Sequence, residues 1–167
     1  MHRPSDGVIR FCATFAGLQV VAQAGYYGFF LKSRLFPAYL HLLAESAAIL
    51  LRLVGRTVTC EFDTLHGGFE MSIRTGCDGI QAIAILATAV LAFPSSWRRR
   101  AQGILAGVIL LLGINILRIA TLFVVGTDWP QHFQSFHVEV WPALLILCTA
   151  LLWVAWASTL AAPRRLA

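Results

Sequence analysis

The residue in this chain best suited to covalent chemistry is Cys77, within the stretch from Arg74 to Gln81. A helix is predicted to begin directly after it. The positive end of a helix dipole favours negative charge and lowers the pKa of a nearby thiol. Cys77 is therefore the predicted nucleophile. Two polar residues later in the chain, Arg118 and His137, could complete a reactive site with it.

Arg118 lies in a long apolar segment, 101–125, with Asn115 on the same helix face. It is about seven residues, or roughly 10 Å, from the predicted outer end of this segment. A charge in the middle of a span costs about 2.5–3.5 kcal/mol even on a lenient insertion scale, so a specific role is expected. Its planar donors suit a carbonyl oxyanion. The alternative is an ion pair with Glu45 or Asp78 that only holds helices together, or a side chain that reaches outward to water.

His137 directly precedes the last apolar segment, 138–160, at the membrane level predicted for Arg118. An imidazole next to a thiol can act as its general base. The alternative is an interfacial polar group without a chemical role. His132, in the preceding loop, is the competing histidine.

Two further interpretations of Cys77 stay open. A disulfide with Cys60 would remove the nucleophile, and an oxidising outer compartment would permit it. A small buried thiol without chemistry is the other. A zinc site built from these two cysteines with His66 and His137 has no support from the spacing.

The elements that must position these residues are membrane-spanning helices. The 167 residues are 58% hydrophobic and only 13% charged, whereas an ordinary soluble domain is about a quarter charged. At least four stretches approach the ~20 apolar residues that a span requires. The prediction is one integral membrane domain, 1–167, all-α, a multi-pass bundle of four to five helices with a small extracytoplasmic β-hairpin.

The net charge of +5 is spread over loops and termini. No basic tract is interleaved with aromatic residues, so the charge indicates topology and contact with membrane lipids, and no nucleic acid. The four cysteines lack CxxC spacing, so no metal or other cofactor is predicted.

The first apolar run, 11–31, is predicted to be a transmembrane helix. Ala22-Gln23-Ala24 resembles a signal-peptide cleavage site, but the apolar run continues past it through Phe30.

The next predicted helix, 38–54, is not uniformly apolar. His41, Glu45, Ala48 and Arg52 form one stripe along it. Such a helix could lie in the membrane interface or span the membrane with its stripe facing protein. Glu45 is a minor candidate for contact with the site.

Residues 56–76 alternate with a period of two around Gly67-Gly68, which predicts a β-hairpin. In the predicted register Glu61 pairs with Arg74. The same register pairs Phe62 with Ile73 and places Cys77 opposite Val58.

The densest basic clusters predict the topology. Residues 98–100 and the pair Arg164 and Arg165 are expected to stay in the cytoplasm. The third and fifth segments then run inward and the fourth outward, so Cys77 and His137 fall on the extracytoplasmic side. An inward N-terminus fits if 38–54 does not cross completely.

Three motifs in this order and spacing resemble the exosortase/archaeosortase family: Gly76-Cys77-x-Gly79, Asn115-x-x-Arg118 and Phe136-His137. The resemblance covers residues 56–155. The small size is similar to that of the compact, H-type group, which handles IPTL-x-x-WG tails.

The resemblance implies a multi-pass cysteine protease and transpeptidase of the cell inner membrane, with Cys77 as nucleophile, Arg118 as essential cation and His137 as third member. Its partners would be exported proteins that end in a short motif, a transmembrane helix and a basic tail. Asn115, Asp78 and Gly79 are predicted to support the site, although Asp78 stands where relatives more often carry a small residue. Longer relatives have about eight spans.

Two other functions stay open. One is a non-enzymatic scaffold or assembly subunit whose polar residues serve helix packing. The other is a small transporter lined by His41, Glu45, Asn115 and Arg118, although no inverted repeat is evident in the sequence.

Overall fold

The computed structural model of the chain describes residues 4–161, and these form a helical bundle that carries a small sheet at one end. The helices are α1 (Pro4–Gly25, extended by a π-helical turn at Tyr26–Phe30), α2 (Leu35–Leu53), α3 (Ile80–Ala92), α4 (Trp97–Asp128) and α5 (Trp141–Ala161). The strands are β1 (Thr59–Glu61), β2 (Thr64–Gly67) and β3 (Phe69–Ser72). Short helical turns connect α4 to α5: Pro130–His132, Phe133–Ser135 and a π-helical turn at Phe136–Val140.

The predicted fold class is confirmed. Four helical segments are long and apolar enough to cross a membrane, and α3 is a shorter apolar helix. The first segment continues as helix from Asp6 to Phe30, as the apolar run predicted. Arg164 and Arg165, predicted to form a cytoplasmic cluster, lie outside the described residues.

Helix α4 is the central element. Its 32 residues rise about 48 Å at 1.5 Å per residue, more than the ~30 Å of a hydrocarbon layer. The half that follows Trp97 packs with α3 and α5, and Leu86 and Leu111 are buried there. The other half packs beneath α2 and the sheet, where Ile119 and Phe123 belong to the main core. Helix α4 therefore links the part of the bundle formed with α3 and α5 to the part formed with α2 and the sheet.

Helix α1 lies antiparallel to α3. Phe11 contacts Phe93, just after α3, with ring centroids 6.4 Å apart. At the other end of the pair, Gln23 Nε2 donates to Gln81 Oε1 at 2.6 Å. The N-terminal end of α1 thus lies on the same side of the bundle as the basic residues 98–100.

Helix α2 joins the sheet to the bundle. In the predicted polar stripe, Arg52 pairs with Glu45 at 2.9 Å and donates through Nε to the Val58 carbonyl, also at 2.9 Å. His41 Nδ1 lies 2.7 Å from the Phe62 carbonyl oxygen, while Ala48 is fully buried. The stripe therefore faces the sheet. Glu45, the minor candidate for contact with the site, pairs with Arg52. Among the described residues, no hydrogen bond or ion pair joins its carboxylate to Cys77.

The predicted hairpin register is wrong. The chain turns at Phe62 and Asp63, and the extra strand β2 pairs with both neighbours in a three-stranded antiparallel sheet of order β1-β2-β3. Glu61 pairs with Thr64 instead of Arg74. Phe62 lies in the turn with a φ of 53°, Ile73 donates its N–H to Asp63, and Cys77 does not lie opposite Val58.

Candidate active site

The segment between β3 and α3 is a tight loop that presents Cys77. The Cys77 N–H donates to the Arg74 carbonyl at 2.9 Å. Gly76 and Gly79, on either side, have φ values of 89° and 77°, which glycine adopts without steric cost. Helix α3 begins at Ile80, three residues after Cys77. The thiol therefore lies further from the helix start than predicted.

Asp78 anchors this loop to the first two helices. The residue is fully buried. Its carboxyl oxygens accept hydrogen bonds from the Tyr26 hydroxyl, from the Ile80 N–H at 2.9 Å and from the Gly76 N–H at 3.4 Å. Its carbonyl oxygen accepts one from the Tyr39 hydroxyl at 2.6 Å. The aspartate at this unexpected position thus fixes the loop on both sides of Cys77.

Asn115 holds the loop from helix α4. Its Nδ2 donates to the Cys77 carbonyl at 3.0 Å, and the residue is fully buried. Gly79 packs directly against it: a Cβ atom on Gly79 would lie 2.9 Å from Asn115 Cγ. A side chain at position 79 would push the loop away from α4.

Arg118, one turn further along α4, reaches the same loop. Its side chain is nearly buried, with 4% of the residue exposed. Nη1 donates to the Gly76 carbonyl at 3.3 Å, and Nη2 lies 3.8 Å from Cys77 Sγ. The buried Nε has no hydrogen-bond partner among the described residues. The guanidinium is thus aimed at the sulfur with part of its donor capacity unused.

His137 approaches Cys77 from the opposite side. Its Nε2 lies 3.2 Å from Cys77 Sγ, which is hydrogen-bonding distance for sulfur. The residue belongs to the π-helical turn at Phe136–Val140, and its ring stacks on Phe133 with centroids 5.6 Å apart. His132 lies in an exposed turn, so His137 is the histidine at the thiol.

The predicted lowering of the thiol's pKa by the helix dipole is wrong. Burial raises the pKa of the Cys77 thiol, while the Arg118 guanidinium acts in the opposite direction and lowers it. Desolvation penalises the thiolate, and a positive charge nearby favours it. The resting cysteine is therefore a thiol at neutral pH, and its activation needs a base.

The competing interpretations of Cys77 have little structural basis. Cys60 and Cys77 are both free thiols, so no disulfide occupies the nucleophile. Within residues 4–161, no three His, Cys, Asp or Glu side chains come together in an arrangement that could hold a metal ion. Burial also raises the pKa of the Cys60 thiol, and that residue lies on β1, away from the histidine.

Sequence reasoning missed Tyr26, Tyr39 and Phe133. The two tyrosines act on the loop through Asp78, and Phe133 orients His137. Tyr26 and Tyr39 are distant in sequence from Asp78, which they contact. Phe133 lies in a turn without periodicity. The one signal for the two tyrosines was an aspartate directly beside the cysteine, because a buried carboxyl group requires hydrogen-bond donors.

Two cavities meet at the site. The outer cavity, about 640 Å³, is bounded along one wall by every residue from Phe69 to Cys77 and on the other by Phe133 and His137. The inner groove, about 500 Å³, is almost entirely apolar and is lined by side chains of α1, α3 and α5, from Gly76 down to Trp153. Arg118 lines both cavities. An extended chain could thus pass from one to the other across the sulfur.

The arrangement brings a thiol, a base and a cation together at one cavity. His137 can accept the thiol proton, as a general base requires. The main-chain N–H of Cys77 is already bonded to Arg74, so it is not free to bind a developing oxyanion. Arg118 has donors that are free to do so. The geometry suits nucleophilic attack on a carbonyl carbon.

Comparison with known proteins identifies the family. The model of the transmembrane exosortase family (Exosortase_EpsH) matches residues 11–154, a range that includes all three predicted motifs and extends to the first helix. Neither a curated protein nor a solved structure matches the chain. Since the family match covers most of the 167 residues, this chain belongs to the transmembrane exosortases.

Proposed function

We propose that this protein is a cysteine protease and transpeptidase that cleaves the C-terminal sorting signals of exported proteins at the outer face of the inner membrane. One observation carries the proposal: Cys77 Sγ lies 3.2 Å from His137 Nε2 and 3.8 Å from Arg118 Nη2. Three residues distant in sequence thus meet at one thiol, in a member of a family of protein-sorting enzymes.

The reaction begins when His137 takes the proton of Cys77 and the sulfur attacks the scissile carbonyl carbon. A carbon–sulfur bond forms, and Arg118 stabilises the oxyanion. Collapse breaks the carbon–nitrogen bond, and His137 returns its proton to the leaving amine. The remaining thioester is resolved by an amine acceptor or by water, which regenerates the thiol.

The two cavities fit the two parts of a sorting signal. The outer cavity, whose lining includes Glu70, Ser72 and Arg74, would hold the short motif, and the apolar inner groove would hold the transmembrane helix that follows it. The transmembrane tail would then lie beside α3, α4 and α5. Phe11 and Phe15 of α1 also line the groove, so the first helix contributes to this docking surface.

The proposed membrane position follows from helix α4. The cluster 98–100 would remain in the cytoplasm. About 20 residues from this cluster cross the hydrocarbon layer, which brings α4 to the level of Arg118. The rest of α4 would then project from the membrane beneath α2 and the sheet. Near the start of helix α2, Tyr39 donates to the carbonyl of Asp78, and just after its end Arg56 pairs with Asp128 of α4. Helix α2 therefore lies alongside the projecting part of α4 and need not cross the membrane.

The arrangement of charges does not favour a scaffold role. In a scaffold, a buried arginine would be neutralised by a carboxylate. Among the described residues no ion pair involves Arg118, whose contacts are a main-chain carbonyl and the thiol. An uncompensated cation next to a thiol favours chemistry over packing.

The first test compares two cysteine substitutions. Exported proteins of the source genome that end in a motif, a transmembrane helix and a basic tail are tagged and co-expressed with the enzyme. Cys77→Ala should abolish processing without loss of membrane accumulation, because it removes the nucleophile. Cys60→Ala, at the other free thiol near the sheet, is the matched control and should process normally. Processing by Cys77→Ala would contradict the assignment.

The mass of the product separates hydrolysis from transpeptidation. A processed reporter with a free C-terminal acid indicates that water resolves the thioester. A heavier, amide-linked C-terminus indicates an amine acceptor. Mass spectrometry of the new C-terminus thus defines the second half of the reaction.

A further inference from the structure

Strand β3 has one edge without a neighbouring strand. The sheet order is β1-β2-β3, and no further strand pairs with β3 among residues 4–161. Native proteins usually cover or shorten such edges because their free N–H and C=O groups pair readily with another chain. Here the edge leads along the chain directly to Cys77.

The main-chain groups that face this free edge can be identified from the register. Met71 pairs with Leu65, and the Ile73 N–H donates to the Asp63 carbonyl at 2.8 Å. Hydrogen-bonded and non-bonded pairs alternate in an antiparallel ladder. Since Ile73 bonds towards β2, Met71 does so as well. The N–H and C=O groups of Glu70 and Ser72 therefore point to the free edge.

The free edge forms one wall of the outer cavity. Every residue from Phe69 to Cys77 lines that cavity. Side chains alternate between the two faces of a strand. Consecutive residues can nevertheless all line one cavity where the main chain of the strand forms the cavity wall. Phe133 and His137 bound the other side. The cavity is thus a trough that runs along β3 and ends at the sulfur.

Strand β3 also runs in the direction expected for the substrate's cleavage motif. A Cβ atom on Gly126 of α4 would lie 2.5 Å from the Phe69 ring, while Cys77 contacts Arg118. Eight residues of α4 correspond to about 12 Å. From Phe69 to Cys77 the chain therefore descends towards the membrane, as does a substrate whose transmembrane helix follows its cleavage motif.

We infer that the substrate's cleavage motif binds in extended form as a fourth strand on β3, parallel to it. Its main chain pairs with the N–H and C=O groups of Glu70 and Ser72. This inference rests on the proposed function and adds how the motif is held. Strand addition supplies affinity through the main chain and leaves specificity to side-chain pockets. At about 3.3 Å per residue, Phe69–Ser72 matches a segment of about four residues.

Proline substitution removes a single edge N–H without breaking the β2–β3 ladder. The kcat/KM for a tagged sorting-signal reporter is compared between Ser72→Pro and Ser72→Ala, and between Glu70→Pro and Glu70→Ala. Both variants at a position lose the same side chain, so the ratio of their kcat/KM values measures the contribution of the main-chain N–H group. The expected drop is on the order of tenfold in each pair, from the lost hydrogen bond and the clash with the incoming strand.

The opposite edge of the sheet provides the control for the proline itself. Cys60, on β1, lies outside the outer cavity, so Cys60→Pro and Cys60→Ala should have equal kcat/KM. Alkylation of Cys77 by iodoacetamide reports whether each variant keeps its site. Equal kcat/KM within the Ser72 and Glu70 pairs, with alkylation intact, would overturn the inference and leave the proposed function in place.

Three further outcomes are also decisive. If a proline variant loses Cys77 alkylation, the wild-type enzyme is given synthetic reporters N-methylated at single motif residues. Sensitivity at every second residue supports strand addition, and sensitivity without alternation overturns it.

A proline variant that only dissociates a dimer, with unchanged kcat/KM, would assign the edge to a second copy of this chain. A wild-type enzyme that is inert toward all reporters overturns the proposed function and this inference with it.

Discussion

The chemistry of this site depends on the protonation of one sulfur atom. Burial raises the pKa of the Cys77 thiol, and Arg118 counteracts that effect only in part. At neutral pH the cysteine is therefore a thiol, and in the proposed mechanism the thiolate forms when His137 accepts the proton. A half-buried cysteine held as a thiol should resist oxidation, since oxidants attack the thiolate.

This protonation state predicts the pH dependence of alkylation. Below the pKa the thiolate fraction rises tenfold per pH unit, so the rate of iodoacetamide alkylation at Cys77 should still rise above pH 8. Arg118→Gln removes the group that lowers this pKa and should slow alkylation at pH 8 by at least about fivefold. Peptide mapping by mass spectrometry follows the reaction at each cysteine.

The control for Arg118→Gln is Arg56→Gln. Arg56 pairs with Asp128 at the far end of α4 and should leave the alkylation of Cys77 unchanged. A rate that reaches its plateau below pH 8, or faster alkylation in Arg118→Gln, would contradict the account of the thiol.

At the scale of elements, three helices hold one loop. Helices α1 and α2 bind Asp78 through Tyr26 and Tyr39, and α4 binds the Cys77 carbonyl through Asn115. Each bond alone contributes about 1 kcal/mol. Their shared effect is positional, because a loop with glycines at 76 and 79 has little rigidity of its own.

Removal of the Tyr26 hydroxyl tests this positioning. Tyr26→Phe keeps the ring and leaves a buried carboxyl group with one donor fewer, so kcat should fall by about tenfold as His137 and Cys77 lose their alignment. Tyr27→Phe is the matched control, since the Tyr27 hydroxyl accepts one long hydrogen bond, 3.4 Å from Gln81 Nε2, and makes none with Asp78. Processing kinetics of a reporter measure both. Equal kcat values for the two variants would show that the Asp78 anchor is dispensable.

The helices were predictable from the sequence, but the sheet was only partly so. Apolar runs define α1, α4 and α5, and Pro94 ends α3, because it favours the extended conformation that Phe93 adopts. Strand β2 was missed because Leu65 is its one buried apolar residue, which gives no period of two. Its turn was missed because Phe62 has a positive φ, a conformation for which glycine or asparagine is expected.

The residues of the candidate site were predictable from the sequence, but the bonds that hold them in place were not. Arg118 was identified by the cost of a charge within a membrane span, Cys77 by the helix that begins after it, and His137 by its place at a membrane boundary. Each of these signals is local in the sequence. The bonds from Tyr26 and Tyr39 to Asp78 span 52 and 39 residues. No periodicity in the sequence indicates such pairs, because they depend on how α1 and α2 pack.

At the scale of the whole molecule, the proposed membrane position places one half of the bundle in lipid and the half that carries the site on the extracytoplasmic side. Topology is tested with single cysteines in a background without the native Cys12, Cys60, Cys77 and Cys148. A membrane-impermeant maleimide added to intact cells lacking an outer-membrane barrier should label Glu61→Cys, on the exposed β1, and not Arg98→Cys. Permeabilised cells provide the control, in which both should react. Labelling of Arg98→Cys in intact cells would place the site in the cytoplasm.

The central claim is that Cys77 attacks a substrate carbonyl, and the acyl-enzyme tests it most directly. The enzyme is mixed with its tagged reporter, quenched with acid during turnover and mapped by mass spectrometry. The account predicts the reporter's N-terminal fragment attached to Cys77 as a thioester that hydroxylamine releases. The fragment attached to another residue, or turnover by an enzyme in which Cys77 has been blocked by alkylation, would contradict it.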